Sequence, residues 1–183
     1  MASAAKRLRV LFLCTGNSCR SQMAEGWARA LRSDSIEPYS AGTDPHGMNR
    51  LAVRAMAEAG VDISRHTSKT VDALSGVTFD FVVTVCDSAN QACPCVPGPA
   101  KVIHVGFDDP PKLAKGATTD EGAMPHYRRV RDEIRRFVEA LPQALTESST
   151  TGKRGCCDDS CGPSAGPKPS DALTNHELSA VKR

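Results

Sequence analysis

The sequence predicts a single α/β domain of three layers, in which a four-stranded parallel sheet carries helices on both faces. Short apolar runs of strand length alternate along the chain with longer segments whose apolar residues recur at helical spacing. Residues 79–85 form the strongest run, which is almost continuously apolar, as expected of a strand covered on both faces. This alternation favours parallel strands joined by right-handed crossovers, and 183 residues suffice for one domain with a sizeable core.

The predicted strands are short and mostly apolar: residues 8–13, 39–43, 79–85 and 101–105. The first helix follows the first strand closely, because Met23, Trp27 and Leu31 recur every fourth residue. Ser21 is the predicted cap of this helix, since its hydroxyl is able to accept from a first-turn N–H group. A turn over residues 34–38 then leads into the second strand.

Two further long helices complete the predicted fold. The second covers residues 48–59 and ends before Gly60, a residue that favours the left-handed conformation after a helix. The last presents one apolar face over residues 127–141. Either Thr119 caps this last helix, or Pro125 is its first residue.

Composition and charge exclude several classes of function. The formal net charge is only +2, so we expect neither a nucleic acid nor a membrane surface as partner. No apolar run approaches the ~18 residues that a membrane span requires, and residues 1–7 lack the apolar core of a secretory signal. The eight cysteines fall in three local groups, unlike the framework of a small secreted protein. We therefore expect a cytoplasmic monomer with reactive thiols.

The octet CTGNSCRS, residues 14–21, joins the first strand to the first helix. Its successive backbone N–H groups can turn inward, and the helix N-terminus adds a partial positive charge. Arg20 can hold two oxygens of one anion with its planar guanidinium. We therefore expect a concave site for a tetrahedral oxyanion. The residues predicted to bind it belong to the loop: Thr15, Gly16, Asn17, Ser18, Cys19 and Arg20.

Cys14 begins this octet, at the floor of the predicted site. The same N–H groups and Arg20 favour its thiolate, which would be a nucleophile aimed at the central atom of the anion. We expect the Ser21 hydroxyl to donate a hydrogen bond to that thiolate. The alternative is a buried core thiol beside a turn at Gly16. Cys19 is expected to point away from the anion and to be structural.

The pattern C-x5-R-S between a strand and a helix resembles the low-molecular-weight protein tyrosine phosphatase superfamily. Thioredoxin-coupled arsenate reductases belong to the same superfamily, so the resemblance implies one fold and either of two activities. The loop alone does not separate them, because phosphate and arsenate have nearly the same shape and charge. The second group of cysteines is what distinguishes the two chemistries.

Cys86 and Cys93 are seven residues apart, directly after the third predicted strand. This spacing is poor for a structural zinc site, whose paired ligands are usually about two to four residues apart. If the segment is helical, seven residues place the sulfurs ~10 Å apart, whereas a disulfide needs Cα atoms within ~7 Å. Forming that disulfide would therefore unwind the segment. Cys95 is a third thiol beside the pair, either a substitute for Cys93 or a competitor.

Cys14, Cys86 and Cys93 together resemble the three redox cysteines of the thioredoxin-coupled arsenate reductases. Four further segments are similar to that family: residues 22–27, 40–43, 104–110 and 128–134. The resemblance spans about residues 8–145. The phosphatases instead carry an aromatic residue after Asp-Pro, where this chain has proline and lysine. A reductase is therefore our interpretation, and a phosphatase that hydrolyses phosphate monoesters through Cys14 is the alternative.

The resemblance implies a thiol relay that detoxifies arsenate. Cys14 would attack arsenic while Asp109, the aspartate before Pro110, protonates the leaving oxygen. Cys86 would then attack the Cys14 sulfur and release arsenite, after which Cys93 would attack Cys86. Thioredoxin would reduce the resulting disulfide. A protein that binds oxyanions without turnover is a third hypothesis, which the paired cysteines and Asp109 disfavour.

Some members of that family hold a potassium ion near the loop, and Asn17, Glu25 and Ser40 match its ligands. The position after residues 66–68 is Lys69, where potassium-binding members carry an acidic residue. Because its ammonium group would take the place of the cation, we expect no potassium requirement and no tightly bound cofactor. For Asn17, tying the loop by hydrogen bonds is an equal alternative.

The composition changes near the C-terminus to Ser, Thr, Gly, Pro and Lys, with few large apolar residues. We therefore predict a domain over residues 1–146 and a disordered tail over 147–183. The tail contains Cys156, Cys157 and Cys161, either as incidental thiols or as a site for trivalent arsenic or another soft ion. No other metal site is predicted, since the five histidines lack metal-ligand spacing.

Overall fold

The computed structural model of the protein describes residues 6–92, 96 and 98–148. Within them four strands form one sheet: β1 (Leu8–Cys14), β2 (Ile36–Gly42), β3 (Phe81–Thr84) and β4 (Lys101–His104). The strand order is β2-β1-β3-β4, and every neighbouring pair is parallel. Because parallel neighbours need crossover connections, helical segments separate the strands in the sequence.

The described residues include six α-helices: α1 (Arg20–Leu31), α2 (Arg50–Glu58), α3 (Asp87–Ala92), α4 (Pro110–Leu113), α5 (Asp120–Glu139) and α6 (Gln143–Ser148). Two short 3-10 helices lie at Asp72–Leu74 and Ala114–Gly116. Helix α1 packs on β1, β2 and α5, and α5 also packs on α2, whereas α3 contacts β1 and β3. The predicted fold, a four-stranded parallel sheet with helices on both faces, is confirmed.

Strand β2 begins earlier than predicted. Ile36 pairs with Leu8 and is fully buried, so the second half of the predicted turn over residues 34–38 is strand. Pro38 lies inside this strand, opposite Val10. Proline is tolerated there because β2 is an edge strand, whose outward side needs no ladder N–H group.

Helix α1 begins at Arg20, and its N-cap residue is Cys19, with no hydrogen bond from a capping side chain. The prediction of Ser21 as the cap is therefore wrong. The Ser21 hydroxyl lies near Cys14 and Asn17 instead of near a first-turn N–H group. The start of α1 is thus left without a side-chain acceptor, which suits a helix end that faces an anion.

The two other long helices are capped by side chains. Asn49 accepts from the N–H groups of Leu51 and Ala52 at 2.9 and 3.0 Å, so α2 starts two residues later than predicted. Thr119 caps α5 by accepting from the Gly122 N–H at 3.2 Å. Pro125 lies inside α5, so the alternative that it begins the helix is wrong.

Strand β1 runs through the centre of the hydrophobic core. Its residues from Val10 to Leu13 are fully buried, as expected of a strand with a neighbour on each side. Trp27 of α1 and Ile134 of α5 pack in the same core. Cys14 is therefore delivered to the C-terminal edge of the sheet by a well-packed element.

Helix α6 extends across the predicted boundary between residues 146 and 147. Five cysteines lie outside the described residues: Cys93, Cys95, Cys156, Cys157 and Cys161. None of the helices described here is both long enough and apolar enough to span a membrane. Among the described side chains, no group of three or more His, Cys, Asp or Glu is placed to hold a metal ion.

Candidate active site

Three predicted site residues lie at one edge of the sheet. Cys14 ends β1, Cys86 follows β3 by two residues, and Asp109 lies beyond the end of β4. Because these strands are parallel neighbours, their C-terminal ends meet at the same edge. Arg20, Cys86, Asp109 and Lys112 line one open cleft of about 780 Å³ at this edge.

Residues 14–21, which we call the anion loop, turn their backbone carbonyls outward. The carbonyls of residues 14 to 18 each accept a hydrogen bond from elsewhere in the chain. The donors are four backbone N–H groups, one side-chain amide and one hydroxyl: those of Thr43, Asp44, His46, Asn49, Gln22 and Ser68. No acceptor among the described residues faces the N–H groups of residues 15–20. This arrangement leaves a set of N–H donors for a tetrahedral oxyanion.

Asn17 holds the anion loop in shape. Its φ of 43° is the left-handed conformation that allows consecutive N–H groups to converge. Its side-chain oxygen accepts from the Lys69 N–H at 2.8 Å and from Gln22 Nε2 at 3.0 Å. Its side-chain nitrogen donates to the hydroxyls of Ser21 and Ser40, both at 3.0 Å. The Asn17 side chain thus makes the hydrogen bonds that the tying role, one of its two predicted alternatives, requires.

Gly42, at the end of β2, is a site residue that the sequence analysis did not single out. A Cβ atom there would lie 2.5 Å from the Thr15 carbonyl oxygen and 2.8 Å from the Asn17 nitrogen. No side chain larger than hydrogen fits between β2 and the anion loop. The available signal was the glycine at the end of the segment 40–43, but the contact depends on how two distant segments pack.

Cys14 lies beneath the cleft, with only 3% of the residue exposed. Its sulfur is 2.9 Å from Ser21 Oγ. Because Asn17 already donates to that oxygen, the Ser21 hydroxyl hydrogen is free to point at the sulfur. The geometry thus allows the Ser21 hydroxyl to donate a hydrogen bond to the Cys14 sulfur.

Arg20 connects the anion loop to the segment after β4. One guanidinium nitrogen donates to the Phe107 carbonyl at 3.0 Å, and another is 3.1 Å from Asp109 Oδ1. The Arg20 side chain is mostly buried, whereas about a third of the Asp109 side chain is exposed to the cleft. This pair places the Asp109 carboxyl group in the cleft beside the anion loop.

Cys86 lies against the anion loop. Its sulfur is 3.6 Å from Thr15 Oγ1, and the residue is 5% exposed. Its carbonyl accepts from the Asn90 N–H in the first turn of α3. The sulfur therefore contacts the residue that follows Cys14, and it lies on the same rim of the sheet. Cys93, its predicted partner, lies outside the described residues.

The start of α3 is tied to the sheet by residues that the sequence analysis did not single out. His104 Nδ1 is 2.9 Å from Thr84 Oγ1, and His104 Nε2 is 3.1 Å from Asp87 Oδ1. Asp87 is the first residue of α3 and follows Cys86 directly. The position of Cys86 therefore depends on β4 as well as on β3.

Cys19, the second cysteine of the anion loop, is buried beside Arg20. Burial raises the pKa of its thiol, and the nearby positive charge of Arg20 only partly opposes that effect. Cys19 is therefore a neutral thiol at physiological pH. A neutral buried thiol is a poor nucleophile, and the structural role of Cys19 stays a prediction.

The side chains that match a potassium site do meet in the structure, but they are already satisfied by protein donors. Glu25 accepts from Ser40 Oγ and pairs with Arg29, both at 2.5 Å. The side-chain oxygen of Asn17 accepts two N–H groups. The ammonium of Lys69 donates to a backbone carbonyl instead of to Glu25. This arrangement does not fit a bound cation, since the counter-charge on Glu25 is a guanidinium.

Comparison with known proteins agrees with the geometry. The family described as low molecular weight phosphotyrosine protein phosphatase matches residues 9–151. An arsenate reductase of Halalkalibacterium halodurans is 48% identical over 134 residues, which cover 73% of this chain and 94% of that protein. An arsenate reductase of Bacillus subtilis is 46% identical over 144 residues, which cover 79% and 96%.

A solved structure described as an arsenate reductase in reduced state has a TM-score of 0.57 and 28% identity to this chain. The match covers 75% of this chain and 98% of that one. The family match includes most of the chain, and the curated relatives are matched over nearly their whole length. The chain therefore belongs to the low molecular weight phosphotyrosine protein phosphatase family, in the group whose members are named arsenate reductase.

Proposed function

We propose that this protein is an arsenate reductase that passes electrons from its own thiols to arsenate. The observation that carries the proposal is the 3.6 Å contact between the Cys86 sulfur and Thr15 Oγ1. Phosphate ester hydrolysis needs a nucleophile, an acid and water, and no second thiol. Arsenate reduction, by contrast, needs a second cysteine against the anion loop, because that cysteine forms a disulfide with Cys14. The relatives named arsenate reductase support the same activity.

The first step is nucleophilic. Arsenate binds to the inward N–H groups of the anion loop, and the Cys14 thiolate attacks arsenic. An arsenic–sulfur bond forms while an arsenic–oxygen bond breaks, and Asp109 donates a proton so that the oxygen leaves as water. Arg20 stabilises the charge on the remaining oxygens. Its guanidinium lies 3.1 Å from Asp109 Oδ1, so the acid is held beside the bound anion.

The second step is the redox step. The Cys86 thiolate attacks the Cys14 sulfur, so that a sulfur–sulfur bond forms and the sulfur–arsenic bond breaks. The electron pair of that bond remains on arsenic, which leaves as arsenite. Arsenic is thereby reduced by two electrons, and the two thiols are oxidised to a Cys14–Cys86 disulfide.

The third step regenerates Cys14. The Cys93 thiolate attacks the Cys86 sulfur and releases the Cys14 thiolate, leaving a Cys86–Cys93 disulfide. Helix α3 between them is only six residues long, and of its described side chains only Ala89 is buried. Such a short helix with little buried surface unwinds at low cost. Thioredoxin, a dithiol reductant, then reduces the exposed disulfide.

The test is arsenate-dependent oxidation of thioredoxin by the full chain, followed as NADPH consumption in the presence of thioredoxin reductase. Cys86→Ser and Cys93→Ser should each stop multiple turnover, whereas Cys95→Ser should retain it. Unchanged turnover in Cys86→Ser would refute the relay. If arsenate is reduced with dithiothreitol but thioredoxin is not oxidised, arsenate reduction stands and thioredoxin coupling is wrong.

Hydrolysis of phosphate monoesters is the second candidate, because the anion loop and the acid suit phosphate equally well. Among the described lining residues, those that follow Asp109 are Lys112 and Leu113, neither of which is aromatic, whereas the aromatic lining residue Phe107 precedes Asp109. We therefore propose it as a residual activity. Hydrolysis of p-nitrophenyl phosphate should survive Cys86→Ser and vanish in Cys14→Ser.

A further inference from the structure

A histidine at the end of β4 links the sheet to the start of α3. Thr84, the last residue of β3, lies opposite His104 in the register of the two strands and is 1% exposed. Its hydroxyl oxygen is 2.9 Å from His104 Nδ1, and His104 Nε2 is 3.1 Å from Asp87 Oδ1. We call Thr84, His104 and Asp87 the α3 tether, since they join the first residue of α3 to two strands.

The carboxylate determines how the hydrogen bonds of the α3 tether are oriented. Ionised Asp87 only accepts, so His104 Nε2 must carry the hydrogen of the bond between them. In the neutral ring Nδ1 is then the acceptor, and the Thr84 hydroxyl donates to it. A protonated ring would also donate from Nε2, so the bond to Asp87 forms in both charge states of His104.

Helix α3 has little else to hold its first turn on the sheet. It is six residues long, and Ala89 is the one buried residue among its described side chains. The Asp87 side chain is 86% exposed, whereas that of His104 is 31% exposed. A hydrogen bond to so exposed a carboxylate contributes modestly and opens readily. The α3 tether is therefore able to hold the start of the helix and to release it within a reaction cycle.

Two steps of the proposed relay make opposite demands on this part of the chain. The second step needs the Cys86 sulfur against the anion loop, where it lies 3.6 Å from Thr15 Oγ1. The third step needs the segment after Cys86 to leave the sheet, so that Cys93 reaches that sulfur. Because Asp87 directly follows Cys86, a bond that holds Asp87 favours the second step and opposes the third.

We propose that His104 is a positioning residue for Cys86, and that it sets the balance between attack on Cys14 and release of α3. It acts through Asp87 and not on the reacting atoms. The inference rests on the proposed function, because the two steps that it balances belong to the relay.

The variants separate the two nitrogens of His104. His104→Asn keeps an amide near the position of Nδ1 but no longer reaches Asp87, whereas His104→Gln places an amide nitrogen near the position of Nε2. Asp87→Ala removes the other partner, and the double variant shows whether both substitutions act through the same bond. His126→Asn is the matched control, since His126 is an exposed histidine of α5.

The first measurement is the rate of amide hydrogen exchange over residues 87–92 in the reduced full chain, read by mass spectrometry. His104→Asn should raise this rate about threefold, the effect of losing one exposed hydrogen bond. His104→Gln and His126→Asn should exchange at the wild-type rate, and the double variant no faster than Asp87→Ala alone. A wild-type rate in His104→Asn would overturn the inference, whether or not the protein reduces arsenate.

The second measurement is a single turnover of the full chain with arsenate, stopped with acid at intervals, after which the disulfides are mapped by mass spectrometry. His104→Asn should form the Cys14–Cys86 disulfide about threefold more slowly and convert it to Cys86–Cys93 about threefold faster. Equal slowing of both steps would indicate general damage to the site and would overturn the inference.

Asp87→Ala changes an exposed side chain and should show the same opposed effects, so it decides the question if His104→Asn does not fold. Wild-type rates for both steps in Asp87→Ala would overturn the inference. If wild type reduces no arsenate, the proposed function fails, and the exchange rates alone then decide whether His104 holds α3.

Discussion

Thr15 Oγ1 lies 3.6 Å from the sulfur of Cys86, so one hydroxyl joins the anion loop to the segment after β3. The hydroxyl is able to donate to the Cys86 sulfur, which is the attacking atom in the proposed second step. The two residues follow β1 and β3, neighbouring parallel strands that end at the same edge. The Thr15 side chain therefore connects the anion loop to Cys86, the cysteine of the proposed redox step.

Thr15→Val should slow formation of the Cys14–Cys86 disulfide about fivefold, the effect expected from losing one hydrogen bond of ~1 kcal/mol. The measurement is the rate of arsenite release in a single turnover of a Cys93→Ser protein without external reductant. Thr15→Ser keeps the hydroxyl and should remain close to wild type. Equal rates for the valine and serine variants would show that the hydroxyl has no part in this step.

Gly42→Ala should distort the anion loop, because its Cβ would lie 2.5 Å from the Thr15 carbonyl oxygen and 2.8 Å from the Asn17 nitrogen, both of them backbone atoms. We expect a loss of about 2 kcal/mol in the free energy of unfolding, typical of overpacking. Phosphate binding, measured by calorimetry, should weaken by about tenfold or more.

Gly76→Ala is the matched control for Gly42→Ala, since nothing lies within 4 Å of a Cβ at that position. It should leave both the free energy of unfolding and phosphate binding near the wild-type values. If Gly42→Ala binds phosphate as tightly as Gly76→Ala does, the close packing of β2 on the anion loop is not what shapes the site.

Much of the fold and the centre of the site could be predicted from the sequence, because they depend on local patterns. Apolar runs and helical spacing predict the order of strands and helices, and the strand–loop–helix pattern places Cys14 and Arg20 correctly. Once the strands are taken as parallel, Cys86 and Asp109 must reach the same edge. These are consequences of periodicity and topology.

The features that were missed depend on packing between distant segments. Pro38 reads as part of a turn, and only the position of β2 at the sheet edge makes it acceptable inside a strand. Ser21 is a good capping residue by type, but the nearby Cys14 and Asn17 use its hydroxyl. The pairing of Arg29 with a buried Glu25 depends on which face of α1 turns inward.

Asp109→Asn should lower kcat for arsenate reduction by about 10²-fold, because the leaving oxygen loses its proton donor while the hydrogen-bonding shape is kept. Asp108→Asn is the matched control, since Asp108 lines the same cleft but pairs with Arg129 at 2.7 Å. It should stay within about twofold of wild type. The measurement is steady-state arsenate reduction, and similar losses in both variants would argue against Asp109 as the acid.

His66 should make the protein less stable in mild acid. Burial lowers the pKa of His66 below its ordinary value of 6.5, with the charge of Glu25 only partly opposing that effect. As the pH falls through 6.5, the unfolded chain binds a proton at His66 before the folded chain does. The free energy of unfolding therefore decreases at acidic pH, whereas His66 does not change it well above pH 6.5. His66 Nδ1 is 3.0 Å from the side-chain oxygen of Gln22, whose amide holds the Asn17 carbonyl.

His66→Gln removes the titrating group while retaining a donor for Gln22, so its free energy of unfolding should fall less than that of wild type between about pH 7.5 and about pH 5.5. Urea unfolding of both proteins at the two pH values measures the difference. Titrations common to both proteins cancel in this comparison, which isolates His66 from the carboxylates that also titrate in acid. Parallel losses in the two proteins would mean that His66 protonates equally easily in the folded and unfolded states, and that the Gln22 contact adds no pH sensitivity to the anion loop.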